Sequence, residues 1–386
     1  MDQNMNNVDP KVPFDLPLLP PSIDYAALVS DIANAHAGLA RLDETLAHLR
    51  NPQIIERTFL TREAVLSSQI EGTQATLEEV LKEEAVAGEN VAETTKKSQD
   101  IREVINYRRA THQGIRFIDA GEPLAENNVK SLHATLLQSV RGKTKDPGHF
   151  RRAQVYIAPP GTPIAEARYI PPAPPRIPEL YGNFDRYFNT DGAERDALVQ
   201  LAVAHYQFEA IHPFNDGNGR IGRLLIPLFL YRRKILSRPY MYVSKYFEEH
   251  RRDYYDLLAD VSYKDEWIPW IRFFLNGLAE QANDACALVR EILELQRKFH
   301  AVLSDFHSPY ASNLLDALFA YPICSTTRMR VVGEIKSTQT LLNLIKKFQK
   351  AGILEDVSPE RKRNKTYAFV PLLEILDHYR EPNLKV

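Results

Sequence analysis

A run of twelve residues just past the middle of the chain, HPFNDGNGRIGR from His212 to Arg223, constrains the fold more than any other stretch. Helices are predicted over 197–211 and 220–233, so the run is a loop feeding a helix N-terminus. Gly217 and Gly219 admit backbone conformations that other residues resist. Successive N–H groups can then turn inward as an anion nest, reinforced by the helix dipole. A phosphate suits such a cradle. Asp216 offers a hard oxygen ligand for Mg²⁺ held partly by nucleotide phosphates. Arg220 and Arg223, three residues apart, can face one way and clamp oxygens, and His212 titrates near neutrality as a candidate general base.

The rest of the chain reads as mainly α. Over 25–49, apolar residues fall at Leu28, Ile32, Leu39, Leu42 and Leu46, the spacing of one buried helix face. Further helices are predicted over 54–70, 76–84, 98–118, 127–139, 177–188, 247–258 and 268–303. Residues 1–22 are punctuated by proline and predict an extended arm lying against the body. Eight of the 25 prolines fall within 159–178, where helix is excluded because proline lacks the donor and clashes with the preceding turn. Strands at 154–157 and 168–170 would make this segment a small β-hairpin flap with stiff shoulders.

Beyond residue 305, helices over 314–321, 325–332 and 337–351 precede strands at 353–357 and 366–370, joined by the polar turn SPERKRNK. That order spells a C-terminal winged helix-turn-helix. From Arg328 to Lys365 ten Lys and Arg face four Asp and Glu, whereas the whole chain carries 48 against 50, a net charge of −2. Attraction for a polyanion is therefore local to this region. The expected division is an N-terminal helical region 1–95, a catalytic core 96–304 with the flap at 150–178, and the C-terminal domain 305–386. Two cysteines, Cys286 and Cys324, are too few for a disulfide framework or a cysteine zinc site, and a reducing cytoplasm is the expected setting. The longest apolar run, 224–231, is far below the roughly 18 residues of a membrane span, and no basic-then-apolar leader opens the sequence, so neither a membrane helix nor export is expected.

In this loop the chain resembles the Fic family, whose signature H-x-F-x-D/E-G-N-G-R-x-x-R is matched at every fixed position between His212 and Arg223. PGHFRRAQVYI, 147–157, resembles the family's flap, which holds a target segment by adding it as a strand. KYFEEHRRDYYDLL, 245–258, resembles the segment lining its nucleotide pocket, with Tyr246, Tyr254 and Tyr255 the candidates to pack on adenine. The resemblance implies a Fic-type helical core and a protein adenylyltransferase moving AMP from ATP to a hydroxyl side chain of a target protein. By the same resemblance His212 is the base, Asp216 the Mg²⁺ ligand, Asn218 with the backbone of Gly217 and Gly219 the phosphate holders, and Arg220 and Arg223 the ATP-binding arginines. The α-phosphate moves and pyrophosphate leaves, so positioning and charge stabilisation supply most of the catalysis.

SSQIEG, from Ser67 to Gly72, ends a predicted helix and resembles the family's inhibitory motif S/T-x-x-x-E-G/N. There the glutamate reaches the second arginine of the signature, here Arg223, and occupies the direction needed by the γ-phosphate. Glu71, with Ser67 heading the motif, is then a built-in brake placed before the core. Other readings stay open: removal of AMP, transfer of another phosphate-containing group, or a DNA-binding regulator whose core senses nucleotide. In the last, Arg328, Arg330, Lys336, Lys346, Lys347 and 361–365 would contact duplex phosphates. The partners in view are a target protein, the chain itself as substrate, DNA and a second copy in a homodimer. His149 and His205 have no carboxylate or cysteine at zinc-ligand spacing and read as structural.

Overall fold

The computed structural model describes residues 12–47, 53–87, 95–138, 145–158 and 161–378. In chain order its helices are α1 Val29–Ala47, α2 Gln53–Ile70, α3 Leu77–Ala87, α4 Lys96–Asp119, α5 Glu126–Leu136, α6 Ile177–Asn189, α7 Ala197–Ile211, α8 Asn218–Arg232, α9 Ser244–Glu249, α10 Arg251–Lys264 and α11 Trp267–Leu303. The centre is the pair α7 and α8. Nearly every residue of both is buried, as a helix that is apolar on all sides requires. The Asp196 carboxylate caps α7 by accepting from the backbone N–H of Leu198 and Val199. Helix α11 runs 37 residues and packs along α1, while α2 lies against α4, α8 and α9. The latter contacts bring the end of α2 to the loop between α7 and α8.

Residues 12–22 lie extended on the body as expected: Phe14 donates its N–H to the Ile170 carbonyl, and Asn183 exchanges two hydrogen bonds with the backbone of Leu19. Residues 1–11, and the expected helix ends at 48–49 and 139, lie outside the described residues. The helix predicted over 247–258 is broken at His250, whose backbone (φ −109°, ψ 34°) ends α9 and begins α10. No glycine or proline marks the break, and the His250 ring packs on Tyr246 of the preceding turn. The expected hairpin flap reduces to a single antiparallel bridge between Ile157 and Tyr169. Prolines on both sides withhold the N–H groups a longer ladder would need.

Beyond α11 come α12 Ala311–Ala320, β1 Ile323–Ser325, α13 Thr326–Val332, α14 Thr338–Lys350, β2 Glu355–Asp356, β3 Thr366–Ala368 and α15 Val370–His378. The three strands form an antiparallel sheet in the order β1-β3-β2. Ser325 and Ser337 cap α13 and α14 as their sequence positions suggest. Strand β1 escaped the sequence reading because three residues show no period, and Val370, expected to end a strand, instead opens α15 against α11. This region packs on α2 and α3. The Tyr321 ring lies between the guanidinium groups of Arg57, 4.8 Å away, and Arg328, 4.3 Å away. Arg57 also donates to buried Glu84, which Arg108 grips from the other side. No helix among the described residues is long and apolar enough to cross a membrane, and both cysteines are buried free thiols.

Candidate active site

The loop begins at His212, which caps α7 in the left-handed conformation (φ 48°) with its N–H still bonded to the Phe208 carbonyl. Buried Phe214 anchors the loop. It stacks on the His133 ring at 3.8 Å, and both groups of the Asn218 side-chain amide bond back to its main chain at 2.8 and 2.9 Å. Asn218 is thus spent on closing the loop, leaving backbone N–H groups at the start of α8 to face a ligand. Gly217, left-handed at φ 75°, makes the turn into α8. His133 Nδ1 accepts from the N–H of Gly148, so its Nε2 donates to the Asp216 carbonyl; burial holds this imidazole down to about 4, hence neutral.

Arg151 locks the loop to the flap. Its Nε donates to the His212 carbonyl at 2.8 Å, its Nη2 to the Pro172 carbonyl at 2.5 Å, and its backbone N–H to the Pro213 carbonyl. Burial first, then the positive charge of Arg151, pull His212 down to about 4, against opposing pulls from Glu71 and Asp216. The ring is therefore unprotonated at neutral pH. Its Nδ1 is buried without a hydrogen-bond partner in the structure.

The two arginines part company. Arg220 reaches Glu103 at 3.3 Å and Asp216 at 3.4 Å, and Glu103 also accepts from the hydroxyl of Thr73. Arg223, 1% exposed, is held entirely from the end of α2: Nε donates to Ser67 Oγ at 2.9 Å, and Nη2 to the Ser67 carbonyl at 3.0 Å and Glu71 Oε1 at 2.7 Å. Burial opposes the charge on both partners, yet their mutual attraction keeps Glu71 below the usual carboxylate range and Arg223 above its ordinary value. The end of α2 is itself fixed. Gly72 turns there with φ 89°, and Arg251 of α10 donates to the Ile70 carbonyl at 2.7 Å. A Cβ placed on Gly219 would overlap Glu71 Oε1, so the Glu71 carboxylate lies directly on the first turn of α8.

Beside the loop, flap and α10 face each other across an open-mouthed cavity lined among others by Ile157, Tyr255, Leu258 and Ala259, with Glu209 of α7 contributing. Of the three tyrosines singled out in the sequence, Tyr255 lines this cavity. Tyr254 is core, its hydroxyl bonded to buried His205, and Tyr246 packs on Phe273 and Gly277. His205 is accordingly a core group, and burial takes it down to about 3. Arg151, His133, Glu103 and Glu209 were missed as parts of the site. The first lay within the flap-like PGHFRR segment, but nothing in its spacing says that a guanidinium crosses from flap to loop.

Residues 29–116 match the Fic/DOC family N-terminal region and residues 123–230 the Fic/DOC family, together just over half of the chain. Two curated relatives, both named Protein adenylyltransferase Fic, are 35% identical over 127 residues (Aedes aegypti) and 36% identical over 130 residues (Culex quinquefasciatus). Each match takes in 33% of this chain and 22% of the relative, so the chain spans under a quarter of the length of these relatives. The crystal structure of a Fic family protein from Desulfovibrio desulfuricans G20 superposes with a TM-score of 0.56 at 23% identity, covering 91% of this chain and 98% of that one, a likeness of fold.

Proposed function

Because the chain belongs to the Fic/DOC family, we propose that it is a protein adenylyltransferase, moving AMP from ATP to a hydroxyl side chain of a target protein or of itself, with Glu71 as its brake. The observation that carries this reading is the seat of the Glu71 carboxylate: an anion on Arg223 and on the first turn of α8, where a nucleotide phosphate would otherwise bind. Remove it, and a buried guanidinium and a helix N-terminus are left facing the loop. The cavity beside Tyr255 then takes the base.

In the reaction the target hydroxyl gives its proton to His212, its oxygen bonds to the α-phosphorus, and the bond to the β-phosphate breaks with pyrophosphate leaving. Neutral His212 is in the right state to accept, and phosphate charge nearby raises its affinity for the proton. Arg220, Arg223 and the backbone of Gly217 and Gly219 bind phosphate oxygens, while Asn218 keeps the loop closed. Mg²⁺ fits one way only. The described residues hold no cluster of three or more His, Cys, Asp or Glu, but Asp216 is 38% exposed and only weakly held by Arg220. Such a carboxylate suits an ion that draws its other oxygens from phosphates and water. That ion would neutralise phosphate charge.

The test is intact-mass spectrometry of the Glu71→Gly chain with ATP and a lysate as source of targets. Adducts of about 329 Da, the mass of an added AMP, are expected on modified proteins. No adduct on any protein, the chain itself included, would contradict the reading.

A second activity is favoured by one feature of the C-terminal region. A groove between α13, α14 and the β2–β3 turn carries Arg330, Lys362, Arg363 and Lys365, and no carboxylate lines it. We read this region as a winged helix that binds duplex phosphates. The whole chain should be retained on duplex DNA at low salt and released as salt rises; Lys362→Glu with Arg363→Glu should abolish retention. Unchanged retention in that variant would refute the reading.

A further inference from the structure

Arg251 opens α10 and takes no part in the chemistry above, yet it holds the end of the helix that carries Glu71. Its Nη2 donates at 2.7 Å to the carbonyl of Ile70, the last residue of α2. A helix leaves its last-turn carbonyls without donors of its own, and a cation placed there also meets the negative end of the helix dipole. The nearby carboxylate of Glu248 on α9 lies 3.7 Å from the guanidinium. The short bond is the one to Ile70.

Two further bonds fix the chain on the far side of Glu71. Thr73 donates its hydroxyl to Glu103 of α4 at 2.9 Å, and the Gln74 N–H donates to Asp100 of α4 at 3.1 Å. Glu71 therefore rides on a short arch with one foot on α10 and the other on α4. Its own N–H donates to the Ser68 carbonyl at 3.0 Å, so the carboxylate goes where the arch goes.

We propose that Arg251 is the latch of the brake: it keeps the last turn of α2 in the position from which Glu71 reaches Arg223. The carboxylate rests directly on Gly219 of α8, and it clears the way for a nucleotide phosphate when this turn lifts off α8 and α10 together. The inference rests on the reading of Glu71 as inhibitory. The foot on α4 is of another kind, because Glu103 also receives Arg220, and a change there reaches a phosphate-binding arginine as well as the arch. Arg251 is 48% exposed and its bond crosses only to α2, so its loss acts on the arch first. A lysine keeps the charge and a donor, whereas alanine keeps neither.

The experiment measures initial rates of self-modification with α-labelled ATP in the full chain with Arg251, Arg251→Ala or Arg251→Lys, each with Glu71 present and with Glu71→Gly. Arg251→Gln replaces the alanine variant if that one does not melt cooperatively. The quantity read is the ratio of the two rates, with Glu71→Gly over with Glu71, which is the strength of the brake. Arg251→Ala should speed transfer while Glu71 is present and cut the ratio about three- to tenfold, the size of one charge-assisted bond from a half-exposed side chain. Arg251→Lys should keep most of the ratio. Amide hydrogen exchange over 67–74 should quicken in Arg251→Ala while that of α7 stays slow. A ratio unchanged by Arg251→Ala, both rates falling together, would make Arg251 a structural support and overturn the latch alone, as would unchanged exchange over 67–74. A Glu71→Gly chain no faster than wild type would overturn the brake itself, and this proposal with it.

Discussion

Glu71 and Arg223 stand 152 residues apart in the chain and 2.7 Å apart in the fold, joined where the last turn of α2 meets the first turn of α8. Ser67, one turn earlier on α2, contributes its hydroxyl and its carbonyl to the same guanidinium. The arginine therefore keeps two of its partners when the carboxylate goes. That arrangement separates holding Arg223 in place from blocking it.

Glu71→Gly should raise the rate of AMP transfer by about ten- to a hundredfold, the release of roughly 1.4–2.8 kcal/mol of preference for the blocked state. Ser67→Ala should give a smaller rise or a loss, because it loosens the arginine as well as the brake. Initial rates of self-modification with α-labelled ATP measure both.

Acid should not release the brake in the ordinary range. Burial is the largest single influence and pushes Glu71 up, but the combined pull of Arg223 and Arg220, with His212 in the same direction, holds it below the usual carboxylate range. The stabilisation from this pair is fully present above the unfolded carboxylate value and is lost only as pH falls through the lower folded one. Wild-type transfer should stay low from pH 8 down to about 5.

His212→Ala should abolish transfer in the Glu71→Gly background without altering ATP binding by more than a few-fold, about 1 kcal/mol or less. In the unliganded chain the His212 ring should titrate near 4, and lower once Glu71, which favours its charged form, is gone. Arg151, Asp216 and Glu71 are the charged groups acting on it. NMR of the histidine side chains across pH reads this directly, and a value near the ordinary 6.5 would show that the ring is more solvated than the structure has it.

Glu84 should matter for folding rather than for chemistry. It is 2% exposed and pairs with both Arg57 and Arg108, so Glu84→Gln removes the carboxylate that the two guanidinium groups share. A loss of about 3–5 kcal/mol is expected in chemical denaturation. Because Arg57 also packs on Tyr321, the loss should loosen the C-terminal region from α2.

Glu63 gives a pH-dependent stability with a definite sign. Burial pushes its carboxyl up to about 7 despite hydrogen bonds from Ser244 and Tyr107 and the attraction of Arg223. Between the unfolded carboxylate value and about 7 the folded chain retains a proton that the unfolded chain has released, so this group costs stability increasingly as pH rises through that window. Glu63→Gln should flatten the wild-type decline between pH 5 and 8 by about 1–3 kcal/mol.

The helices of the core and the catalytic loop were legible because their information is local. The apolar spacing of α1, the caps at Ser325 and Ser337, and two glycines within the loop all act within a few residues. What sequence could not supply was decided across distance. Two differences were not of that kind: the break at His250 carries no glycine or proline, and the flap shrank to one bridge because its sequence neighbours lack donors. Asn218 looked like a phosphate holder, yet its amide is consumed by Phe214, a use visible only once the loop is folded. Arg151 acquires its importance from the flap meeting the loop after α7, which no local pattern announces.

The central claim is that this loop exposes the innermost phosphorus of a triphosphate to a hydroxyl and that Glu71 prevents it. The most direct test is parallel incubation of wild type, Glu71→Gly, and Glu71→Gly with His212→Ala, each with α-labelled and with γ-labelled ATP. The account predicts protein-bound label only from the α-position, weak in wild type, strong in Glu71→Gly and absent when His212 is also replaced. Label arriving from the γ-position, or α-label unaffected by the loss of either residue, would contradict it.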